Sequence, residues 1–400
     1  MPSEPTDDAL FHDADRPSCV KMIDLFAGPG GLDVAARWLG LASVGIELDE
    51  DACKTRIAAG LGTRQANACK VELLDEFPNA TILTGGPPCQ TYSVAGSGAG
   101  RKALDQIYDL IKRMVNDENI DDELHSLERT GLVLQPLRWA LAAIAKKRPF
   151  ETIVLEQVPT VKPVWEAIAK ELRKHGYEVR VEIVHTEDFG VPQTRRRAIL
   201  IACLRRAAHA PEETHRRYNK RVSRSEGRSD LLPWTTMGEA LPAREYSFDV
   251  VSNYGTGGNP KLRGKRRSDE PSATVTGKVR RNRIYSSGEE VDRFDPAEAG
   301  RLQTFPIDYP WSGQDPYQQI GNAIPPRVGA HILAAAIHGK RPSEESLDAA
   351  VRGTWSAVRV GEHRLELESF IRPGEVAGFL DGEGRPLVVD LGAMSAVGNC

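Results

Sequence analysis

The sequence predicts an α/β protein with a doubly wound, mostly parallel sheet, joined to a smaller domain of irregular structure. From residue 19 to 207, short apolar runs alternate with helical patterns, which is typical of repeated strand–helix–strand units. The first apolar run ends in a glycine-rich turn at Gly28 to Gly31. After Cys203 the alternation stops, and turn dipeptides and basic runs take over. The 400 residues are enough for two or three domains of ~150 residues.

The predicted elements follow in chain order. Residues 19–26 and 42–48 form the first two strands, and each is followed by a helix, the second one opened by acidic residues. Further strands are predicted at 80–85, 152–158, 177–185 and 197–203, and further helices at 134–147 and 164–176. Right-handed crossovers then place helices on both faces of the sheet.

Three segments do not fit this alternation. Residues 106–128 are predicted to be a charged insertion, and residues 341–400 a C-terminal extension, and the sequence shows no role for either. The glycine-rich stretch Ala95 to Gly100 predicts a mobile loop, although a plain linker has the same composition.

The composition excludes several classes of protein. Apolar residues make up 40% and charged residues 27%, which is typical of a globular chain. No apolar run approaches the ~20 residues that cross a bilayer, and the first residues are polar and acidic, so secretion and membrane insertion are not expected. The six cysteines are scattered without metal-ligand spacing, which indicates a reducing cytosol and no structural metal.

Charge is distributed unevenly along the chain. The formal net charge is −4, yet residues 204–283 hold 18 basic and 9 acidic residues. A local basic segment can neutralise the phosphates of a polyanion. The same excess is also compatible with an ordinary solvated face, so the pattern by itself leaves both interpretations open.

The glycine turn predicts a nucleoside site. Gly28, Gly30 and Gly31 remove side chains where a strand turns into a helix, so a ligand can approach the backbone. Glu47 ends the second strand, where a carboxylate can accept hydrogen bonds from a ribose. The third glycine of a dinucleotide fingerprint would fall on Asp33, so that fingerprint is absent. A tight structural turn remains the alternative.

A thiol, a carboxyl group and two cations are predicted to meet at the same sheet edge. Cys89 follows two prolines at the end of a strand, and Glu156 ends another. Arg195 and Arg197 alternate just before the last strand, so both face one side. A cationic neighbour would favour the nucleophilic thiolate. Alternatively, Cys89 is an inert core residue and Glu156 only pairs with an arginine.

These blocks, in this order, resemble the DNA (cytosine-5) methyltransferases. The resemblance rests on Phe26 to Gly31, Pro88-Cys89-Gln90, the Glu156 block, Gln193 to Arg197, Arg301 to Pro306 and Gln319 to Pro326. It spans about residues 20 to 340 and leaves both tails uncovered.

The resemblance implies S-adenosyl-L-methionine as the cofactor. Phe26 would stack on its adenine, Glu47 would hold its ribose, and Asn322 would return to the cofactor half from the far end of the chain. Asn67 stands where the family commonly has an acid that meets the adenine amino group. The other cofactor-binding residues would be Ala27, Gly28, Gly30 and Gly31.

The resemblance also implies the catalytic and substrate-binding residues. Cys89 would be the nucleophile, Glu156 would engage the cytosine ring, and Arg195 and Arg197 would contact the target base. The substrate-binding residues would be Gln90, Ser93, Gln193, Arg263 and Arg267. No metal is expected. The family has Asn where this chain has Gln157, which puts a loop-positioning contact in doubt.

The implied domains are a flexible tail at 1–18, a catalytic and cofactor-binding domain at 19–207 plus 317–340, a target-recognition domain at 208–316, and the extension at 341–400.

The activity would be methyl transfer to C5 of a flipped-out cytosine in double-stranded DNA through a covalent bond from Cys89 to C6. The same chemistry on RNA and a catalytically silent DNA-binding relative are the alternatives; a nicotinamide-dependent oxidoreductase would leave the Pro-Cys-Gln block unexplained. We expect a monomer in the cytoplasm of a prokaryotic or phage-infected cell, and a cognate restriction endonuclease could accompany it.

Overall fold

The strand β1 (Met22–Leu25) lies at the centre of the sheet and is buried along its whole length. It pairs in parallel with β2 (Ser43–Glu47) on one side and with β4 (Ile82–Gly85) on the other. The chain order of the strands therefore reverses at β1, which opens a crevice at the carboxyl ends of the strands. The computed structural model describes residues 19–88, 98–116, 129–255, 263–356 and 364–369.

The central sheet has seven strands within these described ranges, in the order β3-β2-β1-β4-β5-β7-β6. The other strands are β3 (Gly62–Gln65), β5 (Thr152–Gln157), β6 (Tyr177–His185) and β7 (Arg196–Leu204). Strand β7 runs antiparallel to both β5 and β6, and all other pairs are parallel. The predicted doubly wound, mostly parallel sheet is confirmed.

Helices cover both faces of this sheet. The helices are α1 (Gly31–Trp38), α2 (Glu50–Ala59), α3 (Gly98–Val115), α4 (Arg129–Leu132), α5 (Gln135–Ala145), α6 (Lys162–Lys174), α7 (Met237–Ala240), α8 (Pro296–Leu302), α9 (Pro316–Asn322), α10 (Pro326–His338) and α11 (Glu344–Arg352). One apolar core joins the sheet to α3, α5 and α6. A second core joins the opposite face to α1, α10 and α11. None of the described helices is long and apolar enough to cross a membrane.

A second, antiparallel sheet follows in the chain. Its strands are β8 (Asp249–Gly255), β9 (Arg263–Arg267), β10 (Arg283–Ser286) and β11 (Glu289–Asp292), in the order β11-β10-β8-β9 within the described residues. This region is more regular than predicted. The sequence does not predict this sheet, because β9 is almost entirely basic and β11 is exposed along its length. Neither strand therefore shows the alternation of apolar and polar residues that identifies a strand. A third apolar core, which includes Phe248, Ile284 and Phe294, packs beneath it.

One prediction about the connecting segments is wrong for the residues that the structure describes. Residues 98–100 belong to the first turn of α3, where a mobile loop was predicted. Residues 106–115 continue the same helix, which agrees with their helix-compatible sequence, and Ile107, Leu110 and Ile111 pack into the core. Residues 95–97 and 117–128 lie outside the described residues. The predicted domain boundaries stay a prediction, and residues 1–18 also lie outside.

The short turn after β6 buries an acid. Glu187 is almost fully buried, and its Oε2 accepts a hydrogen bond of 3.3 Å from the backbone amide of Arg195. Burial is the main reason that the pKa of Glu187 rises from 4.5 to about 7. The folded chain therefore holds a proton that the unfolded chain releases at lower pH.

Replacing Glu187 should change the pH dependence of stability. Between its unfolded pKa of 4.5 and its folded pKa of about 7, the contribution of Glu187 to the free energy of unfolding falls with rising pH. The slope is roughly 1.4 kcal/mol per pH unit, so Glu187→Gln should gain up to about 3 kcal/mol over wild type above the folded pKa. Urea unfolding across this window measures the difference. Glu178→Gln, at an exposed position on β6, is the control, and parallel wild-type and Glu187→Gln curves would contradict the assignment.

Candidate active site

A cleft of about 400 Å³ lies at the carboxyl ends of β1, β4 and β5. One wall is the turn from Phe26 to Leu32, and the opposite wall is the segment from Gln318 to Ile324. Glu156, Gln157 and Pro88 lie between these walls. Residues from both ends of the chain thus meet where the strand order reverses, as the switch-point rule predicts.

The turn after β1 needs its glycines for two different reasons. Phe26, Gly28 and Gly30 have φ angles of 57°, 54° and 101°, in the left-handed region that favours glycine. Gly31 has an ordinary angle, but a Cβ on it would lie 2.2 Å from the carbonyl oxygen of Ile324. A Cβ on Gly28 would meet no atom within 4 Å. The protein therefore leaves open the space in front of Gly28.

Glu47 is fixed at the rim of this turn by backbone amides. Its Oε2 accepts a hydrogen bond of 2.7 Å from Gly28. Its Oε1 accepts 2.8 Å bonds from Leu48 and Asp49. The carboxylate cannot swing away, and its remaining lone pairs are available to a hydroxyl donor in the cleft.

A buried ion pair lies beneath the turn, and sequence reasoning missed it. Arg56 Nη1 is 2.6 Å from Asp33 Oδ2, and both side chains are fully buried. Ser43 also donates to Asp33, at 2.8 Å, and Arg56 donates to the carbonyl of Gly62 at 2.8 Å. The signal was Asp33 itself, the acid at the place of a dinucleotide-binding glycine.

Asp24 is a second acid that the sequence analysis missed. It lines the cleft, is almost fully buried, and accepts a 2.6 Å hydrogen bond from the hydroxyl of Thr84. Burial, and then the neighbouring Asp33, raise the pKa of Asp24 well above its usual value. Burial thus favours the neutral form of Asp24 at the cleft.

The structure brings Glu156 and Arg197 together. Arg197 Nε lies 2.6 Å from Glu156 Oε1, and both side chains are largely buried. The N–H does not point at the oxygen, so Oε1 has no aligned hydrogen-bond donor among the described residues. Burial lowers the pKa of Arg197, and the charge of Glu156 opposes this effect. The ion pair therefore fixes the carboxyl group of Glu156 at the edge of the cleft.

Arg195 is held by backbone carbonyls rather than by Glu156. Its guanidinium donates to the carbonyls of Val275, Gly321 and Ala323 at 3.0 to 3.2 Å. Burial is the main cause that lowers the pKa of Arg195, and the charge of Arg197 adds to it. Arg195 borders the cleft. Its guanidinium donors, however, connect its own segment to the segments around Val275 and Gly321.

Gln193 belongs to the same buried network. Its amide donates 3.1 Å and 2.5 Å hydrogen bonds to the carbonyl of Leu302 and to Gln303 Oε1, and accepts one of 3.0 Å from the amide of Val275. Gln193 is fully buried. The structure therefore places this predicted substrate-binding residue inside the junction between the two sheets, because all its polar atoms are used there.

Gln157 makes the contact that the sequence analysis placed in doubt. Its Nε2 donates to the carbonyl of Pro87 at 2.7 Å, and its Oε1 accepts from the amide of Val158 at 2.6 Å. The longer side chain therefore reaches the segment that leads to the predicted nucleophile. Cys89, Gln90 and Ser93 lie outside the described residues.

Of three further predicted cofactor residues, one lines the cleft and two do not. Asn322 lines the cleft and accepts a 2.9 Å hydrogen bond from Gln318. Gly30 faces Leu61 and Arg56 behind the turn rather than the cleft. Asn67 Oδ1 accepts a 2.9 Å hydrogen bond from the amide of Cys69. Asn67 does not line the cleft, since its side chain stabilises a local turn.

Many cations of the basic segment are neutralised internally. Arg267 Nε donates to Asp269 at 2.9 Å, and Lys265 lies 2.7 Å from Asp249. Arg280 and Arg281 are exposed and have no carboxylate partner within the described ranges. The side chain of Arg263 lies outside these ranges. The sequence could not separate paired from unpaired cations, because the partners come from turns and neighbouring strands.

The sheet order, the glycine turn and the carboxylate after β2 define an open α/β protein whose cleft is of the nucleoside-binding class. A family model described as C-5 cytosine-specific DNA methylase matches residues 20–118, 130–232 and 234–338. The chain therefore belongs to the C-5 cytosine-specific DNA methylase family, which confirms the predicted family and class of enzyme.

Relatives agree with this assignment. The chain is 25% identical over 346 residues to the Type II methyltransferase M1.HphI of Haemophilus parahaemolyticus, covering 79% of this chain and 86% of that one. It is 24% identical over 352 residues to M.AplI of Arthrospira platensis, covering 81% and 86%. The fold is similar to the Entamoeba histolytica methyltransferase EhMeth, with a TM-score of 0.53, 17% identity, and coverage of 80% and 98%. The S. pombe Dnmt2 methyltransferase gives a TM-score of 0.52 at 15% identity, with coverage of 80% and 98%.

Removing the Gln157 amide should slow the reaction without weakening cofactor binding. Gln157→Ala leaves the buried carbonyl of Pro87 without its donor, at a cost of about 1–1.5 kcal/mol, or roughly tenfold in the single-turnover rate. Gln157→Glu can still accept from Val158 but cannot donate to Pro87, so it should be slowed as well. A wild-type rate in both variants would show that this contact does not position the active segment.

Proposed function

We propose that this enzyme transfers a methyl group from S-adenosyl-L-methionine to C5 of a cytosine in double-stranded DNA. The observation that carries the proposal is the fixed Glu156–Arg197 pair, which lines the same cleft as the glycine turn and Pro88. The family supports the substrate class and the reaction. The designation of the relatives as Type II methyltransferases supports a place beside a restriction endonuclease in a prokaryotic cytoplasm.

The cleft fits the cofactor. The open space in front of Gly28 accepts a ligand close to the backbone, and the restrained Glu47 carboxylate suits a ribose diol. Phe26, Ala27 and Asn322 supply the remaining contacts. When bound there, S-adenosyl-L-methionine supplies an electrophilic methyl group attached to a sulfonium.

The proposed reaction depends on activation of the cytosine ring, because its C5 is a poor nucleophile. Cys89 follows Pro88, which lines the cleft, and its thiolate attacks C6. The carboxyl group of Glu156 shares a proton with N3, so the electron pair of the ring becomes available at C5. After methylation, loss of the C5 proton restores the double bond and expels the thiolate of Cys89.

The two arginines have separate roles in this proposal. Arg197 holds the Glu156 carboxyl group against the base and offers its other donors to the ring. Arg195 is a positioning residue, since its guanidinium is used on three backbone carbonyls. Gln193 has the same kind of role through Gln303.

Duplex DNA requires two further features. Because C6 is not accessible in stacked DNA, the target base rotates out into the cleft at a cost of a few kcal/mol. The region around the antiparallel sheet reads the flanking sequence, and Arg280 and Arg281, which have no carboxylate partner among the described residues, bind phosphates. Arg267 contributes less, because Asp269 already neutralises it.

The central experiment tests the nucleophile. DNA from a host expressing the wild-type chain should show 5-methylcytosine at one recurrent sequence by bisulfite sequencing, and DNA from a Cys89→Ser host should show none. In the presence of S-adenosyl-L-methionine, purified wild-type protein should also form a stable covalent adduct with 5-fluorocytosine duplex, because the fluorine on the methylated C5 cannot leave as the proton does and the Cys89–C6 bond therefore persists. Cys69→Ser, at a half-buried cysteine outside the cleft lining, is the matched control. Methylation by Cys89→Ser would contradict the mechanism.

The assignment of phosphate contacts predicts different salt dependences. Arg280→Ala/Arg281→Ala should weaken duplex binding about tenfold or more and reduce the slope of log affinity against log salt by about 2. Arg267→Ala should change both much less, since its charge is already paired. Fluorescence anisotropy across a salt series measures both quantities. Equal effects of the two variants would contradict this assignment.

A further inference from the structure

The chain beyond the family match packs against the cofactor half of the protein. The match ends at residue 338, and α11 with residues 353–356 follows it. Arg327 donates to Asp348 at 2.5 Å and also to Glu344, and Arg301 donates to the carbonyl of Val351. These contacts attach α11 to α10 and α8 through largely buried guanidinium groups.

Trp355 lies directly after α11 and reaches two distant parts of the chain. It is almost fully buried, its Nε1 donates to the carbonyl of Ala59 at 2.9 Å, and its amide donates to Asp308 at 2.7 Å. Its ring lies edge-on against the ring of Tyr309, with 5.2 Å between the centroids. Trp355 thus fixes the end of α2 and the position of Tyr309 at the same time.

Tyr309 connects Trp355 to the cleft. Its hydroxyl donates to the carbonyl of Pro29 at 2.5 Å, and Pro29 lines the cleft. The Tyr309 ring is buried and packs on Phe305 and Trp311, with centroids 4.8 and 4.9 Å apart. The packing of the ring therefore fixes the direction in which the hydroxyl points.

The turn that Tyr309 contacts needs such support. Residues on both sides of Pro29, Gly28 and Gly30, have left-handed backbone angles, and so does Phe26. A non-glycine residue in that region costs of order 1 kcal/mol and persists only where its surroundings determine it. Pro29 has no N–H, so its carbonyl is its only backbone group for a hydrogen bond.

We propose that residues 344–356 form a brace for the cofactor site, with Trp355 and Tyr309 as positioning residues that hold the Pro29 carbonyl. The proposal rests on the proposed function, since it assigns the brace to the binding of S-adenosyl-L-methionine. This assigns a role to the first part of the C-terminal extension, for which the sequence indicated none: it supports cofactor binding. We expect it to affect DNA binding less, because neither the Tyr309 hydroxyl nor Trp355 hydrogen-bonds to a strand of the antiparallel sheet.

The decisive variant is Tyr309→Phe in the full-length chain, which removes one hydroxyl and keeps the ring. The dissociation constants of S-adenosyl-L-methionine and of its product S-adenosyl-L-homocysteine should rise about tenfold, which corresponds to one lost hydrogen bond. Isothermal titration calorimetry measures both, and anisotropy should give a smaller change in the affinity for duplex DNA.

Tyr177→Phe is the matched control for a general loss of stability. Tyr177 is equally buried, and its hydroxyl donates to the carbonyl of Phe150 at 2.6 Å. Both variants should lower the melting temperature by similar amounts, but only Tyr309→Phe should weaken cofactor binding. Trp355→Phe keeps an aromatic ring and loses the bond to Ala59, so a smaller, severalfold rise is expected from it.

The outcomes separate the two proposals. If wild type binds the cofactor and the dissociation constants are unchanged in Tyr309→Phe and Trp355→Phe, the brace is overturned. The proposed function is then left intact. Equal weakening by Tyr309→Phe and Tyr177→Phe would show a general effect of stability and would also overturn the brace. Wild-type protein that binds neither compound would overturn the proposed cofactor, and the brace with it.

Discussion

The turn between β1 and α1 adopts backbone angles that L side chains avoid, and the cleft depends on it. Local sequence cannot hold it, because glycine has many other accessible conformations. Glu47 fixes one amide, Tyr309 fixes one carbonyl, and Ile324 closes on Gly31. The three supports come from a neighbouring strand and from two later parts of the chain. The cofactor wall is therefore complete only when both ends of the chain have folded against each other.

The buried Asp33–Arg56 pair supports the same turn from below. Removing charges from water is expensive, so such a pair contributes little net stability, although breaking it by removing one partner typically costs about 3–5 kcal/mol. Arg56 also lies against Gly45, where a Cβ would be 2.0 Å from its Nη2. A glycine in β2 thus makes room for the guanidinium group. The pair fixes the geometry of the site more than it stabilises the fold.

Features set by chain direction could be predicted from the sequence. Glu47 and Glu156 follow apolar runs, and parallel strands bring their carboxyl ends to one edge, so both carboxylates were placed at the cleft. Side chains whose partners lie far along the chain could not be predicted. Gln193 and Arg195 have the alternating spacing of residues that face a substrate, but their bonds go to residues 80 to 128 positions away. Asn67 and Arg267 bind partners close to them in the chain, namely the amide of Cys69 and the carboxylate of Asp269. These local partners compete with the predicted ligands, and the sequence pattern does not show which partner is bound.

The contact between Gly321 and the segment around Gly277 has a consequence for exchanging specificity between relatives. A Cβ on Gly321 would lie 2.0 Å from the amide nitrogen of Gly277, so these backbones touch without any intervening side chain. Arg195 and Gln193 bind the adjacent Val275. A chimera that grafts a foreign recognition segment must therefore keep its downstream splice point before Ser272, or import the matching catalytic half as well. The contact between the two halves of this enzyme therefore lies within the segment predicted to serve recognition alone.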